Sequence, residues 1–400
     1  MPRTRTALPL PLRPQWGRQA IKLSAMLAIG LSCSLSIAGK KPYDYYVTGN
    51  PDTPVLIATQ PSTPSLVLMG GGPDVDEAFR WMITRAGIRP GTGGHFVVLQ
   101  ASARDTYGPY ILFSNADSST TAAPVDGWAG GASLGLTSVE TLNVPSTGAA
   151  NDPTVNAIVA RADAVFIAGG DQSNYIQFWK STELDHTLQG LMARNVPIGG
   201  TSAGMAVLGQ FDFSAMRGTL DSSQALADPY NKYVTLDPAP LSLTGGFLTP
   251  PALANTVLDT HLDSRDRMGR LITFTARLIA PTNGRGCTGG ILAAGSNQAN
   301  SARGIGVDVE AALLVQGNGP YQPYTARRVT NVSTVSESAV YFVRPLQAPT
   351  LCAPGKPLSM STVEIRKLGN SNTVFNLSEW TGLTPYYVDA VAGSLTSSPY

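Results

Sequence analysis

The amino-acid sequence predicts an α/β fold: a doubly wound, mostly parallel sheet followed by a small β-rich extension at the carboxyl end. Three observations carry this expectation. Apolar runs at 65–69, 96–99, 164–168 and 196–198 are short, continuous and rich in branched residues, as strands buried on both faces require. Stretches of helical character lie between them, at 75–85, 151–161 and 173–193. Glycines close several of the runs, as Gly70-Gly71-Gly72, Gly169-Gly170 and Gly199-Gly200. A doubly wound sheet gathers such turns at the carboxyl ends of its strands, where ligands bind.

Composition agrees with a large globular chain. Of 400 residues, 43% are hydrophobic, enough for a full core, while 41 glycines and 30 prolines call for many turns and long loops. Residues 1–38 carry five bases (Arg3, Arg5, Arg13, Arg18 and Lys22) and no acid. They end in a mostly small or apolar stretch, too short to span a bilayer, that closes on Ser36-Ile37-Ala38. That pattern reads as a secretory signal peptide, so the mature chain is expected outside the cytoplasm, extracellular or periplasmic. Its removal takes five of the 28 bases and leaves 23 against 27 acids, a net charge near −4, which gives nucleic acid no footprint. No membrane association is expected after removal.

Residues 39–65 read as a linker and 66–315 as the α/β domain. Within that domain the Ser-, Gly-, Ala- and Thr-rich stretch 114–150 reads as an inserted loop. Residues 316–400, with β-type runs at 339–344 and 361–365 and no convincing helix, read as the β-rich extension. Cys33 falls within the signal segment, so Cys287 and Cys352 remain as a pair. In an oxidising compartment they are expected to bridge, pinning the extension to the α/β domain.

The chemistry is concentrated at Gly200-Thr201-Ser202-Ala203-Gly204. A serine between glycines at a strand-to-helix junction sits on a sharp nucleophile-elbow turn, which lifts its hydroxyl clear of the sheet and leaves backbone N–H groups to face an oxyanion. Ser202 is therefore the candidate nucleophile, with Ala203 and Gly170 as oxyanion donors. A serine needs a base, and there are three histidines. His95 opens a strand-like run and His186 lies in a polar stretch, so both read as structural. His261 ends an apolar run just before a helix, and is the candidate base.

Asp259-Thr260-His261, with Arg265, Arg267 and Arg270 four, six and nine positions after the histidine, follows Gly200–Gly204, and Gly169-Gly170-Asp171-Gln172 precedes both. This series of motifs, over about residues 66–315, resembles cyanophycinase, in the serine peptidase group that also holds the aspartyl dipeptidases. The resemblance implies a class I glutamine amidotransferase-like arrangement and a serine-type hydrolase. It implies Ser202 as nucleophile, His261 as base, Gln172 as a pocket residue, and Arg265, Arg267 and Arg270 as the lining that receives substrate carboxylates. An arginine fork suits that task. The family's acid follows Gly-Ile-Gly-Ile-Asp. Here Gly304-Ile305-Gly306-Val307-Asp308 is followed by Val309 where glutamate is expected, with Glu310 next. In a regular strand Asp308 and Glu310 share a face, so either could orient His261; Glu310 is preferred, and the alternative is that His261 works unaided.

The implied substrate is cyanophycin, a polyaspartate whose side-chain carboxyls carry arginine, and the implied product is the β-aspartyl-arginine dipeptide. Asp171, Asp263 and Asp266 are candidates for meeting the substrate guanidinium. No cofactor is expected, and no Cys, His and acid cluster has metal-ligand spacing. A homodimer is left open. Two other readings share the chain: a serine peptidase of short aspartyl peptides, and a non-catalytic secreted binding protein on the same fold. An α/β-hydrolase esterase is disfavoured, because no His-Gly-Gly-Gly occurs and Asp259 stands too close to His261.

Overall fold

The computed structural model describes residues 41–59, 61–102, 107–114, 128–296, 299–319 and 323–400; the expected signal peptide lies outside the described residues. In chain order the first half holds β1 (Asp44–Gly49), β2 (Ser65–Met69), α1 (Asp76–Arg85), β3 (His95–Gln100), α2 (Tyr107–Phe113), β4 (Ser138–Asn143), α3 (Thr147–Ala150), α4 (Pro153–Ala160), β5 (Ala164–Ile167), α5 (Gln172–Trp179), α6 (Glu183–Ala193), β6 (Ile198–Thr201) and α7 (Ala203–Ala206). Short strands β7 (Asp212–Phe213) and β8 (Leu236–Asp237) flank α8 (Ser222–Ala227). Then come β9 (Thr256–Thr260), α9 (Met268–Arg277), β10 (Arg303–Val307), β11 (Ala311–Gly317), β12 (Tyr324–Thr330), β13 (Val340–Pro345), β14 (Met360–Leu368), β15 (Val374–Asn376), β16 (Pro385–Val391) and β17 (Ser394–Leu395).

The expected buried strands form the centre of a nine-stranded sheet in the order β1-β4-β3-β5-β6-β2-β11-β12-β15. The five strands from β4 to β2 run parallel. Alternation divides their side chains between two layers. Leu66, Leu68, Val97, Leu99, Val165 and Ile167 enter one core, while Val67, Met69, Phe96, Val98, Ala164 and Phe166 enter the core on the other face. A six-stranded sheet, β17-β16-β14-β13-β10-β9, packs around α9 and is antiparallel except where β9 pairs with β10. Among the described residues, no helix is long and apolar enough to cross a membrane.

Three expectations change. The stretch 114–150 is not loop throughout: it contains β4, every residue of which is buried. Its composition, Ser-Val-Glu-Thr-Leu-Asn, hides the strand, because the buried Glu140 is acceptable only with partners from distant segments. Tyr45 donates to it at 2.6 Å and Arg161 pairs with it at 2.5 Å. Pairing with this strand also draws 44–49, read as linker, into the sheet as β1. The helix expected over 173–193 is two helices. Lys180 is extended and Ser181 takes φ 60°, while the Asp185 carboxylate accepts the Ser181 N–H at 2.8 Å.

The carboxyl-terminal part is β-rich, and its strands complete both sheets. β11 crosses residue 315, β12 and β15 extend the central sheet, and β13, β14, β16 and β17 continue the second sheet from β10. Cys287 and Cys352 are bridged, with 5.1 Å between their Cα atoms and a sequence separation of 65. The bridge ties the segment after α9 to the tail. Replacing both cysteines by alanine should lower unfolding free energy by about 2 to 4 kcal/mol through the freed unfolded chain. Equilibrium denaturation of the variant and the parent checks this.

Candidate active site

The carboxyl end of β2 is the ruler that sets the site. Its successive carbonyls receive three backbone N–H groups: Met69 takes that of Ser202 at 3.1 Å, Gly70 that of His261 at 2.8 Å, and Gly71 that of Glu310 at 3.0 Å. The ends of β2, β6, β9 and β10 are thereby fastened together, and the Gly70–Gly72 and Gly169-Gly170 turns lie there as expected.

Ser202 follows β6 at φ 49°, ψ −117°, a conformation costing on the order of 1–3 kcal/mol that the surroundings impose. The flanking glycines explain how the turn closes. A Cβ on Gly200 would lie 2.4 Å from the Gly204 backbone, and one on Gly204 would lie 2.1 Å from the Ile167 carbonyl oxygen. His261, at φ 48°, turns off β9 so that its Nε2 stands 2.8 Å from Ser202 Oγ. Burial, then the charges of Arg265 and Arg267, push the imidazole pKa down to about 4, against a smaller opposing pull from Asp259. The base is neutral at pH 7 and free to accept the hydroxyl proton.

A cavity of about 340 Å³ opens on this pair, lined among others by Gly170, Asp171, Gln172, Ala203, Arg265 and Arg267. Asp171 caps α5 by accepting the Ser173 N–H at 2.9 Å, which sets Gln172 at the first helical position, where its amide donates to the Phe213 carbonyl at 3.2 Å. The N–H of Ala203, first residue of α7, and that of Gly170, at φ 154°, have no acceptor among the described residues. They line the cavity beside Oγ, as oxyanion donors must.

The arginines divide. Arg265 is exposed and its guanidinium has no partner among the described residues. Arg267 is nearly buried, with one amino group donating to the Thr260 carbonyl at 2.9 Å and the rest of its fork unpaired among the described residues; burial lowers its pKa to about 10. Arg270 reaches the cavity wall but is not available to a substrate. At 2% exposure its donors must be satisfied internally: Nε and one amino group grip the Asp259 carboxylate at 2.7 and 2.5 Å, and the other bonds Thr219 and Leu220. Of the three, only Arg265 and Arg267 keep guanidinium donors without a partner among the described residues.

The acid position is also corrected. Both oxygens of Asp308 are taken by backbone N–H groups, that of Asp263 at 3.1 Å and that of Ala339 at 2.8 Å. Burial and the neighbouring Asp263 carboxylate push its pKa up to about 7. It braces the loop after His261. Glu310 sits at φ 59°, an irregularity that breaks the shared face expected of 308 and 310. Among the described residues no hydrogen bond joins either carboxyl to His261, so the arrangement is a Ser202–His261 dyad. His95 is buried in β3 and His186 is exposed on α6, both away from this cavity's lining. Among the described residues, no group of three or more His, Cys, Asp and Glu side chains is placed to hold a metal ion.

Sequence reasoning missed the loop 214–219, whose Ala215, Gly218 and Thr219 complete the lining. It also missed Gly71, on whose Cα the imidazole rests: a Cβ there would lie 2.3 Å from His261 Cε1. The glycine run itself was the available signal.

The electrostatics predict the pH profile. The acid limb of kcat/KM should lie near pH 4 rather than near the usual histidine value, and Arg265→Met or Arg267→Met should move it upward, since each removes a charge that repels the proton. Because an unfolded histidine titrates near 6.5, the folded state should also lose stability as pH falls from there towards 4. A limb that stays in place in both variants would separate these arginines from the base.

Two solved structures resemble the chain. A peptidase from an acI-B1 Actinobacterium is 16% identical, over 74% of this chain and 96% of its own, with a TM-score of 0.43. A protein assigned as a peptidase E, from Listeria monocytogenes EGD-e, is 15% identical, over 67% and 100%, with a TM-score of 0.33. Among curated proteins none matches. Residues 129–225, the stretch holding Gly170, Gln172 and Ser202, match the family model of Peptidase family S51, the group of aspartyl dipeptidases and cyanophycinases that the motifs resemble.

Proposed function

We propose that the protein is a secreted serine peptidase that hydrolyses cyanophycin to β-aspartyl-arginine dipeptides. The observation that carries the reading is the 2.8 Å contact between Ser202 Oγ and His261 Nε2, beside a cavity where Arg265 and Arg267 keep unpaired donors. Ser202 Oγ attacks the peptide carbonyl carbon and its proton passes to His261 Nε2. Ala203 and Gly170 N–H groups hold the oxyanion, and the C–N bond breaks as the leaving amine takes that proton. Water then attacks the ester, giving its proton to the same nitrogen, and Ser202 is restored. A substrate carboxylate at Arg265 and Arg267 offsets the charges that depress His261, so binding strengthens the base. Asp171 is the one acid in the lining among the described residues, which supports it as the partner of the substrate guanidinium; Asp266 is engaged by the Tyr400 hydroxyl at 2.9 Å. Secretion is supported by residues 1–38 and by the Cys287–Cys352 bridge, which suits an oxidising compartment.

The test is incubation of purified protein with cyanophycin, followed by mass analysis. Release of β-aspartyl-arginine is the expected result. Hydrolysis of Asp-X dipeptides with none of the polymer would transfer the reading to an aspartyl dipeptidase.

A further inference from the structure

A second cavity, of about 630 Å³, lies on the other side of the loop that walls the catalytic one. Ser214, Met216 and Arg217 face it, while Ala215, Gly218 and Thr219 of the same segment line the cavity at Ser202, so the two share a partition. The crest of that partition, 216–219, is exposed. Both volumes fall in the range of sites that hold small ligands.

The charge on the second wall is one-sided. Lys180 and Asp237 pair at 2.6 and 2.7 Å and cancel. Arg217 and Lys232 are exposed and form no ion pair among the described residues. Arg277 lies with its guanidinium over the Tyr230 ring at 4.0 Å, donates once to the Pro229 carbonyl at 2.6 Å, and keeps a buried Nε with no acceptor. Among the described residues these three cations form no ion pair, Asp228 acting on Arg277 only from a distance, so the concave wall focuses a positive field, and the buried unsatisfied donor is a cost that a bound anion would relieve.

We propose that this cavity is a carboxylate-binding subsite for the units of a carboxylate-bearing peptide next to the one held at Ser202, the peptide crossing the exposed crest of the partition. The inference rests on the reading of the protein as a peptidase of carboxylate-rich peptides. It makes the enzyme prefer longer carboxylate-bearing chains, because only these reach Arg217, Lys232 and Arg277.

The test uses full-length Ser202→Ala protein, which cannot consume its ligand, titrated calorimetrically with one-unit and four-unit β-aspartyl-arginine oligomers, and with aspartate and tetra-aspartate. The four-unit oligomer should bind at least about tenfold more tightly than the single unit, as one added charged contact implies. Adding Arg217→Ala and Lys232→Ala, both at exposed positions, should bring that ratio close to one. Equal affinity for short and long peptides, or a length preference retained in the variant, overturns the subsite and leaves the substrate reading standing. If no β-aspartyl-arginine oligomer binds, but tetra-aspartate outbinds aspartate in a manner that needs Arg217 and Lys232, the cyanophycin reading falls and the subsite stands.

Discussion

Ser202→Ala is expected to abolish peptide hydrolysis, by several orders of magnitude, while leaving the fold and its stability nearly unchanged. The oxygen lost is the one 2.8 Å from His261 Nε2, and removing a nucleophile takes away nearly all that the dyad supplies, about 10⁶-fold in a well-studied serine peptidase. Alanine keeps the Cβ, so the strain at φ 49° and the packing against the Gly169 turn persist. His261→Ala should be comparably damaging. A serine-directed phosphonate should label the parent on Ser202 and fail to label either variant. Residual hydrolysis above about a tenth of the parent's in Ser202→Ala would remove this serine from the mechanism. An inert parent that also resists the phosphonate would favour the binding-protein reading.

The strands and the nucleophile were legible because their signals are local. Branched apolar runs announce β2, β3 and β5, and the turn at Ser202 is written in five consecutive residues. What escaped depends on partners far away in sequence. β4 is polar by composition and buried only because Tyr45 and Arg161 meet Glu140. Arg270 has the spacing of a ligand-binding residue, yet Asp259, eleven positions before it, holds its fork. The acid after β10 could not be chosen by alternation, since Glu310 leaves the strand with positive φ and Asp308 turns to the N–H groups of Asp263 and Ala339. The extension beyond 315 was recognised as β-rich, but its role in finishing both sheets is a matter of pairing register, which no local pattern records.

Gly71→Ala should be nearly as harmful to catalysis as loss of the base itself, although the residue carries no chemistry. Its φ of 141° is one that side chains rarely adopt, and the added Cβ would stand 2.3 Å from His261 Cε1 and 2.7 Å from both ring nitrogens. Ordinary contact begins near 3.4 Å, so the ring must retreat by about 1 Å, and a displacement of that size can cost about 10²-fold in rate. The backbone gives little room for accommodation, because the His261 N–H is fixed to Gly70 and its carbonyl accepts the Arg265 N–H at 3.2 Å. Gly72→Ala is the contrast within the same run. A Cβ there meets nothing closer than 3.8 Å, so that variant should stay near parental activity. The two are compared by kcat and KM, by phosphonate labelling rate, and by thermal melting to show that each is folded. A folded Gly71→Ala that labels and turns over like the parent would mean that the imidazole does not rest on this glycine, and the positioning of the base by the β2 turn would have to be abandoned.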